Sequence, residues 1–212
     1  MYLSRIMLDT RRMEAIRALA KPTILHGAIE QSFTGERKRK LWRVDQFSEK
    51  CFLLVLSEDK PDFNAFVHQF GSANENGGWE TKSYSNFLAQ ISANQTWRFR
   101  LCANPVHSCK ENGSSERGKL FAHVTREHQQ KWLLSRAEKH GFSLQAENFD
   151  ITRSEWVKFS KGTAKYYNIS IYMAVYEGLL TIIDADLFRG ALIDGIGRAK
   201  AYGCGLLTIM HP

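Results

Sequence analysis

Apolar residues recur along the chain with two periods, and the switches between them lay out its elements. Tyr2 to Leu8 alternates with period two and predicts a first strand. Arg11 to Ala20 then changes to helical spacing through Met13, Ile16 and Leu19. Pro22 restarts the chain, as proline does in the first turn of a helix, and a second helix follows from about Thr23 to Phe33. At about 100° per residue, Leu25, Ala28, Ile29 and Ser32 form its inner stripe. His26 falls at the edge of that stripe, near Glu30, anchored on one side and open on the other. Cys51 to Leu56 reads as a buried strand and Asp62 to Phe70 as a short amphipathic helix. Strand, helix, strand, strand, helix is the order of a split βαβ, or ferredoxin-like, half. The glycine- and asparagine-rich Gly71 to Gly78, with the polar stretch to about Gln95, marks a domain boundary.

The second half repeats the first in kind without a strict sequence repeat. In Thr96 to Val106 a strand alternates Arg98 and Arg100 with Trp97, Phe99 and Leu101. Two arginines on one face are expensive to bury unpaired, so that face is wet or holds an anion. Val106 to Gly118 is polar and predicts a mobile loop, Lys119 to Val124 a strand, and Arg126 to His140 a helix that Thr125 caps and Gly141 ends. Ile151 to Phe159 and Tyr166 to Tyr176 alternate around a Ser160-Lys161-Gly162 turn, a hairpin carrying Lys158, Lys161 and Lys165. Glu177-Gly178 reads as a turn into a further strand, Leu179 to Ile183, after which Asp184 caps a helix. That helix leads into GIGRAKAYGCGLL, Gly195 to Leu207, where glycines bracket Arg198 and Lys200. Such a stretch either turns the chain into a last strand or brings backbone amides against a polyanion. It is no Walker motif, and its late position argues against a dinucleotide fold.

Charge narrows the partner. Across 212 residues, 29 Lys and Arg stand against 22 Asp and Glu, a formal charge of +7. Nucleic acid is the first polyanion this suggests and an acidic membrane surface the second. The hydrophobic share of 43% is that of a folded domain. No apolar run approaches bilayer-spanning length and Met1 to Thr10 lacks the pattern of a signal peptide, so a soluble cytoplasmic protein is expected. Cys51, Cys102, Cys109 and Cys204 show no CxxC pairing and read as reduced thiols. Cys102, His107 and Cys109, with His123 and His128 beyond, match no common zinc spacing, and no acidic cluster suggests a two-metal centre. No metal or other cofactor is therefore expected. His26 is the sharpest candidate for chemistry. Metal-free RNA cleavage needs a base to take the ribose 2′-OH proton, an acid for the leaving 5′-oxygen and cations for the phosphorane-like transition state. A histidine, titrating near neutrality, suits either proton transfer, although lone helical histidines are more often structural.

Three stretches in order, MYLSRIML, RFRLCANP (Arg98 to Pro105) and EGLLTI followed by GIGRAKAYGCGLLTI, resemble the CasE-type CRISPR endoribonucleases of the type I-E Cascade complex. The resemblance covers essentially the whole chain and implies an α+β fold of two tandem ferredoxin-like (RRM-like) domains. Residues 1–92 would carry the catalytic helix, and 93–212 the basic hairpins and the glycine-rich motif. It further implies metal-independent cleavage of precursor CRISPR RNA at the 3′ base of the repeat stem-loop. The processed RNA would stay bound as the protein joins the other Cascade subunits. His26 occupies the place of the family's catalytic histidine. The expected RNA-binding residues are Arg98, Arg100, Arg117, Lys119, Lys158, Lys161, Arg198 and Lys200. Two departures stand out: Thr23 where some members carry a tyrosine, and Cys102 where arginine is usual. The first supports a rival reading as a non-catalytic subunit that binds the RNA hairpin.

Overall fold

The computed structural model describes residues 1–72, 78–109, 118–160 and 168–212. The first unit runs β1 (Tyr2–Leu8), α1 (Met13–Ala20), α2 (Pro22–Gln31), β2 (Leu41–Phe47), β3 (Lys50–Ser57), α3 (Asn64–Phe70) and β4 (Trp79–Ser83). Its sheet order is β2-β3-β1-β4, all antiparallel, the ferredoxin-like arrangement. The sheet alternates as strands must. Ile6, Leu8, Leu53 and Val55 face the helices and are buried against Ala15, Leu25, Ile29 and Phe63. The polar stretch before Gln95 is partly regular: β4 closes the sheet's far edge and α4 (Ser85–Ala89) follows it. Alternation was weak there because an edge strand buries so little.

The second unit runs β5 (Thr96–Ala103), β6 (Val106–Cys109), β7 (Lys119–Ala122), α5 (Arg126–Ala137), β8 (Phe142–Ser143), β9 (Phe149–Ser160), β10 (Asn168–Ile182), α6 (Ala185–Asp194) and β11 (Leu207–Met210). The order β11-β5-β10 is completed by β8 and β9, which pair successive parts of β10, so this unit is ferredoxin-like too. Thr125 caps α5 through the His128 amide, Gly141 ends the helix at φ +76°, and Asp184 caps α6 with two backbone bonds at 2.9 Å. Two expectations need correction. Val106–Cys109 is a strand paired with β7, so the polar stretch begins as a hairpin; residues 110–117 lie outside the described residues. Glu177-Gly178 is no turn, since β10 passes straight through it. Gly178 is there for close approach, because a Cβ would lie 2.2 Å from the Asn148 carbonyl oxygen.

The two units share a seam. Leu41 and Leu56, from the first sheet's helix-free face, join the core built by Phe99, Leu101, Trp132 and Tyr176. Arg43 crosses that seam, fully buried, with all five guanidinium N–H donors engaged. Two reach Asp45 carboxylate oxygens at 2.7 and 2.8 Å. Three reach the second unit: the Arg100 and Leu206 carbonyl oxygens and the Thr208 hydroxyl, at 2.8, 2.9 and 2.8 Å.

Candidate active site

His26 sits one helical turn before Glu30 on α2, half-buried beside the fully buried Leu25 and Ile29, as the stripe predicts. The basic run after α2 folds back over it. Arg37 Nη2 lies 3.0 Å from His26 Nε2, and Arg37 Nε lies 3.3 Å from Glu30 Oε2. Lys40, its side chain 5% exposed, donates to the same Glu30 oxygen at 3.0 Å and rests 4.6 Å from the Phe33 ring centre. A guanidinium can only donate, so His26 Nε2 accepts, and the imidazole is neutral with its proton on Nδ1. Burial, opposed by Glu30 and assisted by Arg37 and Lys40, holds the His26 pKa below its ordinary value. His26 is thus held as a free base.

The second unit supplies the opposite wall. The segment between α6 and β11 packs on α2 and β2 and brings Lys200 into one pocket with His26, Arg37 and Lys40. Lys200 Nζ donates to the Asp194 carbonyl oxygen at 2.5 Å, and burial with nearby Arg39 lowers its pKa. The glycines make that approach possible. Gly203 has φ +88°, and a Cβ there would lie 2.9 Å from the Trp42 ring of β2. Left-handed strain costs about 1–3 kcal/mol for a non-glycine residue, and the clash adds to it. Gly203→Ala is therefore expected to lower stability by at least that amount and to shift Lys200 from the pocket, checked by thermal unfolding.

The remaining expected RNA contacts spread over three places. Arg98 is exposed and Arg100 half-buried on one face of β5, in the cleft between the two sheets. The anion expected on that face belongs to the protein itself: Arg100 Nε lies 3.0 Å from Asp45 and Nη1 2.8 Å from Glu177. Lys158 is exposed on β9 opposite Ser170, and Lys119 is exposed on β7 opposite Cys109. Arg198 lines a groove next to α5. Arg117, Lys161 and Lys165 lie outside the described residues. From the sequence, the Arg37 to Lys40 run reads as a solvated loop or a phosphate contact and Glu30 as a neighbour of His26, and none of the three is assigned a role in the site. Their signal was the run from Arg37 to Lys40 placed between the histidine's helix and a strand. No group of three or more His, Cys, Asp or Glu suited to a metal ion occurs among the described residues.

A family model described as "CRISPR associated protein" matches residues 1–211. The chain belongs to that family. Among curated relatives it is 26% identical over 226 residues to CRISPR-associated endoribonuclease Cse3 of Thermus thermophilus, covering 99% of each chain. Among solved structures it superposes on CRISPR endoribonuclease Cse3 bound to a 19-nucleotide RNA with a TM-score of 0.82. That match has 23% identity and covers 99% of this chain and 100% of that one. It also superposes on a chain of a CRISPR RNA-guided surveillance complex in a pre-nicking state, with a TM-score of 0.74, 21% identity and full coverage of both. As in the Cse3 fold, this family member pairs two ferredoxin-like units, and its His26 pocket opens where one unit's α2 meets the other's glycine-rich segment.

Proposed function

We propose that this protein is a metal-independent endoribonuclease that cuts precursor CRISPR RNA at the 3′ base of the repeat stem-loop and remains on the hairpin within Cascade. The observation that carries the reading is the neutral His26, its Nε2 lone pair held by Arg37 in a pocket that Lys200 also lines. His26 takes the 2′-OH proton, the freed oxygen attacks the adjacent phosphorus, and the P–O5′ bond breaks as the 5′-oxygen takes a proton from water, giving a 2′,3′-cyclic phosphate and a 5′-hydroxyl. Arg37 turns from Nε2 to the phosphate as the ribose hydroxyl takes its place. Arg37 and Lys200 then stabilise the charge that develops on the phosphoryl oxygens. Lys40, neutralised by Glu30, fixes the pocket wall instead. The endoribonuclease name of the Cse3 relative and the surveillance-complex match support the activity and the setting. Cytoplasmic residence follows from that setting, and among the described residues no helix is long and apolar enough to cross a membrane.

Lys158, with Lys161 at the hairpin turn, and Arg117 and Lys119 grip the stem backbone; duplex RNA is selected by shape and phosphate spacing. Arg98 and Arg100 sit in the inter-sheet cleft, and the carboxylates around Arg100 give it a part in joining the units. The unit boundary falls near residue 92, between α4 and β5.

The test incubates the protein with a repeat hairpin RNA in excess chelator and reads the cut position and 3′-end chemistry. The expected product ends in a cyclic phosphate at the 3′ base of the stem. Because the base must be unprotonated and its pKa is lowered, the rate should be flat at pH 7 and above. It should fall toward tenfold per pH unit only below the ordinary histidine range. Tight binding without cutting would favour the hairpin-binding subunit that Thr23 suggests, and activity lost to chelator would favour a metal-dependent nuclease.

A further inference from the structure

Beside the His26 pocket, on the other side of the glycine-rich segment, lies a groove of about 500 Å3 between α5, the β6–β7 hairpin and the turn at 197–198. Three histidines line it in a row. The His107 and His123 ring centres are 4.6 Å apart, and those of His123 and His128 are 5.7 Å apart. Lys131, Arg136 and Arg198 complete the wall, and among the described residues no carboxylate lines it. Glu127, next to His128 in the chain, is tied to Lys131 at 2.5 Å. Arg136 lies flat on the Trp132 ring, 4.1 Å from its centre. Trp132 is 4% exposed, yet its indole Nε1 and the Asn104 Oδ1 on the same groove have no hydrogen-bond partner among the described residues. A buried indole N–H left open beside six cationic or protonatable side chains forms a site for an anion.

The path of the chain identifies the anion. Arg198 faces this groove and Lys200 faces the His26 pocket, and residues two apart lie within about 7 Å of each other along the chain. One polyanion can therefore run across the segment and meet both sites. We propose that this groove is a second backbone subsite for the same RNA, holding a phosphodiester on His107, His123 and His128, with a grip that strengthens as pH falls. The inference rests on the endoribonuclease reading above. The sign follows from linkage: phosphate favours the protonated rings, so protons are taken up on binding and acid tightens the complex. In the free protein His123 is pushed the other way. Burial comes first, then repulsion from His107, His128 and Arg136, all of which hold its pKa low. His123 is thus kept neutral to lower pH in the free protein than an isolated ring would be.

The test measures affinity for a repeat hairpin carrying a 2′-deoxy sugar at the cut, which binds without reacting. Wild type and the triple variant H107Q/H123Q/H128Q are compared between pH 8 and pH 6. Wild type is expected to gain about tenfold in affinity over that range. The triple variant should gain little, and its salt dependence at pH 6 should be shallower by about one phosphate. Histidine-ring NMR of the wild-type protein gives a measurement that needs no variant: the three rings should titrate at higher pH with RNA bound than without. An undiminished pH dependence in the triple variant, or rings that titrate alike with and without RNA, overturns the subsite while leaving cleavage in chelator intact. Failure of the wild type to bind hairpin RNA at any pH overturns the endoribonuclease reading and the subsite together.

Discussion

Replacing His26 with alanine is expected to slow cleavage of the repeat hairpin by about 10²- to 10⁴-fold while leaving hairpin affinity within a few-fold of wild type. The size comes from what the side chain does. A positioned base removes the proton from a hydroxyl that would otherwise have to give it to water. Glu30, the carboxylate one turn along α2, is spent on Arg37 and Lys40. Affinity is spared because His26 makes a single hydrogen bond, to Arg37, and carries no charge. The fold is spared because its ring is only half-buried at the edge of the α2 stripe. Single-turnover cleavage and equilibrium binding on one RNA separate the two effects. Equal cutting by the variant would remove His26 from the mechanism; lost binding with lost cutting would make it a structural residue.

Arg43→Ala has the largest expected effect on stability, about 3–5 kcal/mol, the cost of breaking a buried charge pair by removing one partner. For a chain of this length that corresponds to a fall in Tm of about 6–20 °C. Asp45 would keep Arg100 Nε at 3.0 Å, but the Arg100 and Leu206 carbonyl oxygens and the Thr208 hydroxyl would each lose the bond from Arg43. Lysine is no substitute, because it lacks the planar fork that reaches Asp45 and β11 at once. The consequence reaches the active site. β2 follows directly on the run that places Arg37, and β11 follows directly on the segment that places Lys200, so Arg43 sets the distance between the two walls. Arg43→Ala and Arg43→Lys should therefore both lose cleavage beyond what their unfolded fraction explains, measured well below their Tm. Full specific activity in the folded fraction would show that the seam serves stability alone.

Much of the layout was legible in the residues, because local rules act there without help from distant chain. The β1 alternation, the α2 stripe with His26 at its edge, the Thr125 and Asp184 caps and the Gly141 stop all follow from side-chain periodicity and cap chemistry. Positive charge and the glycine-rich segment pointed to a polyanion for equally local reasons. Tertiary structure decided what local pattern cannot carry. Whether Arg100 met water or a carboxylate depended on Asp45, which is 55 residues away, and on Glu177 across the neighbouring strand. Whether Gly178 turned the chain depended on its pairing with Phe99 of β5 and on Asn148, just before β9, packing against it. The pocket itself is a tertiary fact. His26 and Lys200 share no sequence period and meet only because two ferredoxin-like units pack through Arg43 and a glycine-rich strap fits against Trp42. Long-range contact and its electrostatics, which set both the proton on His26 and the charge on Lys200, exist only once the chain has closed on itself.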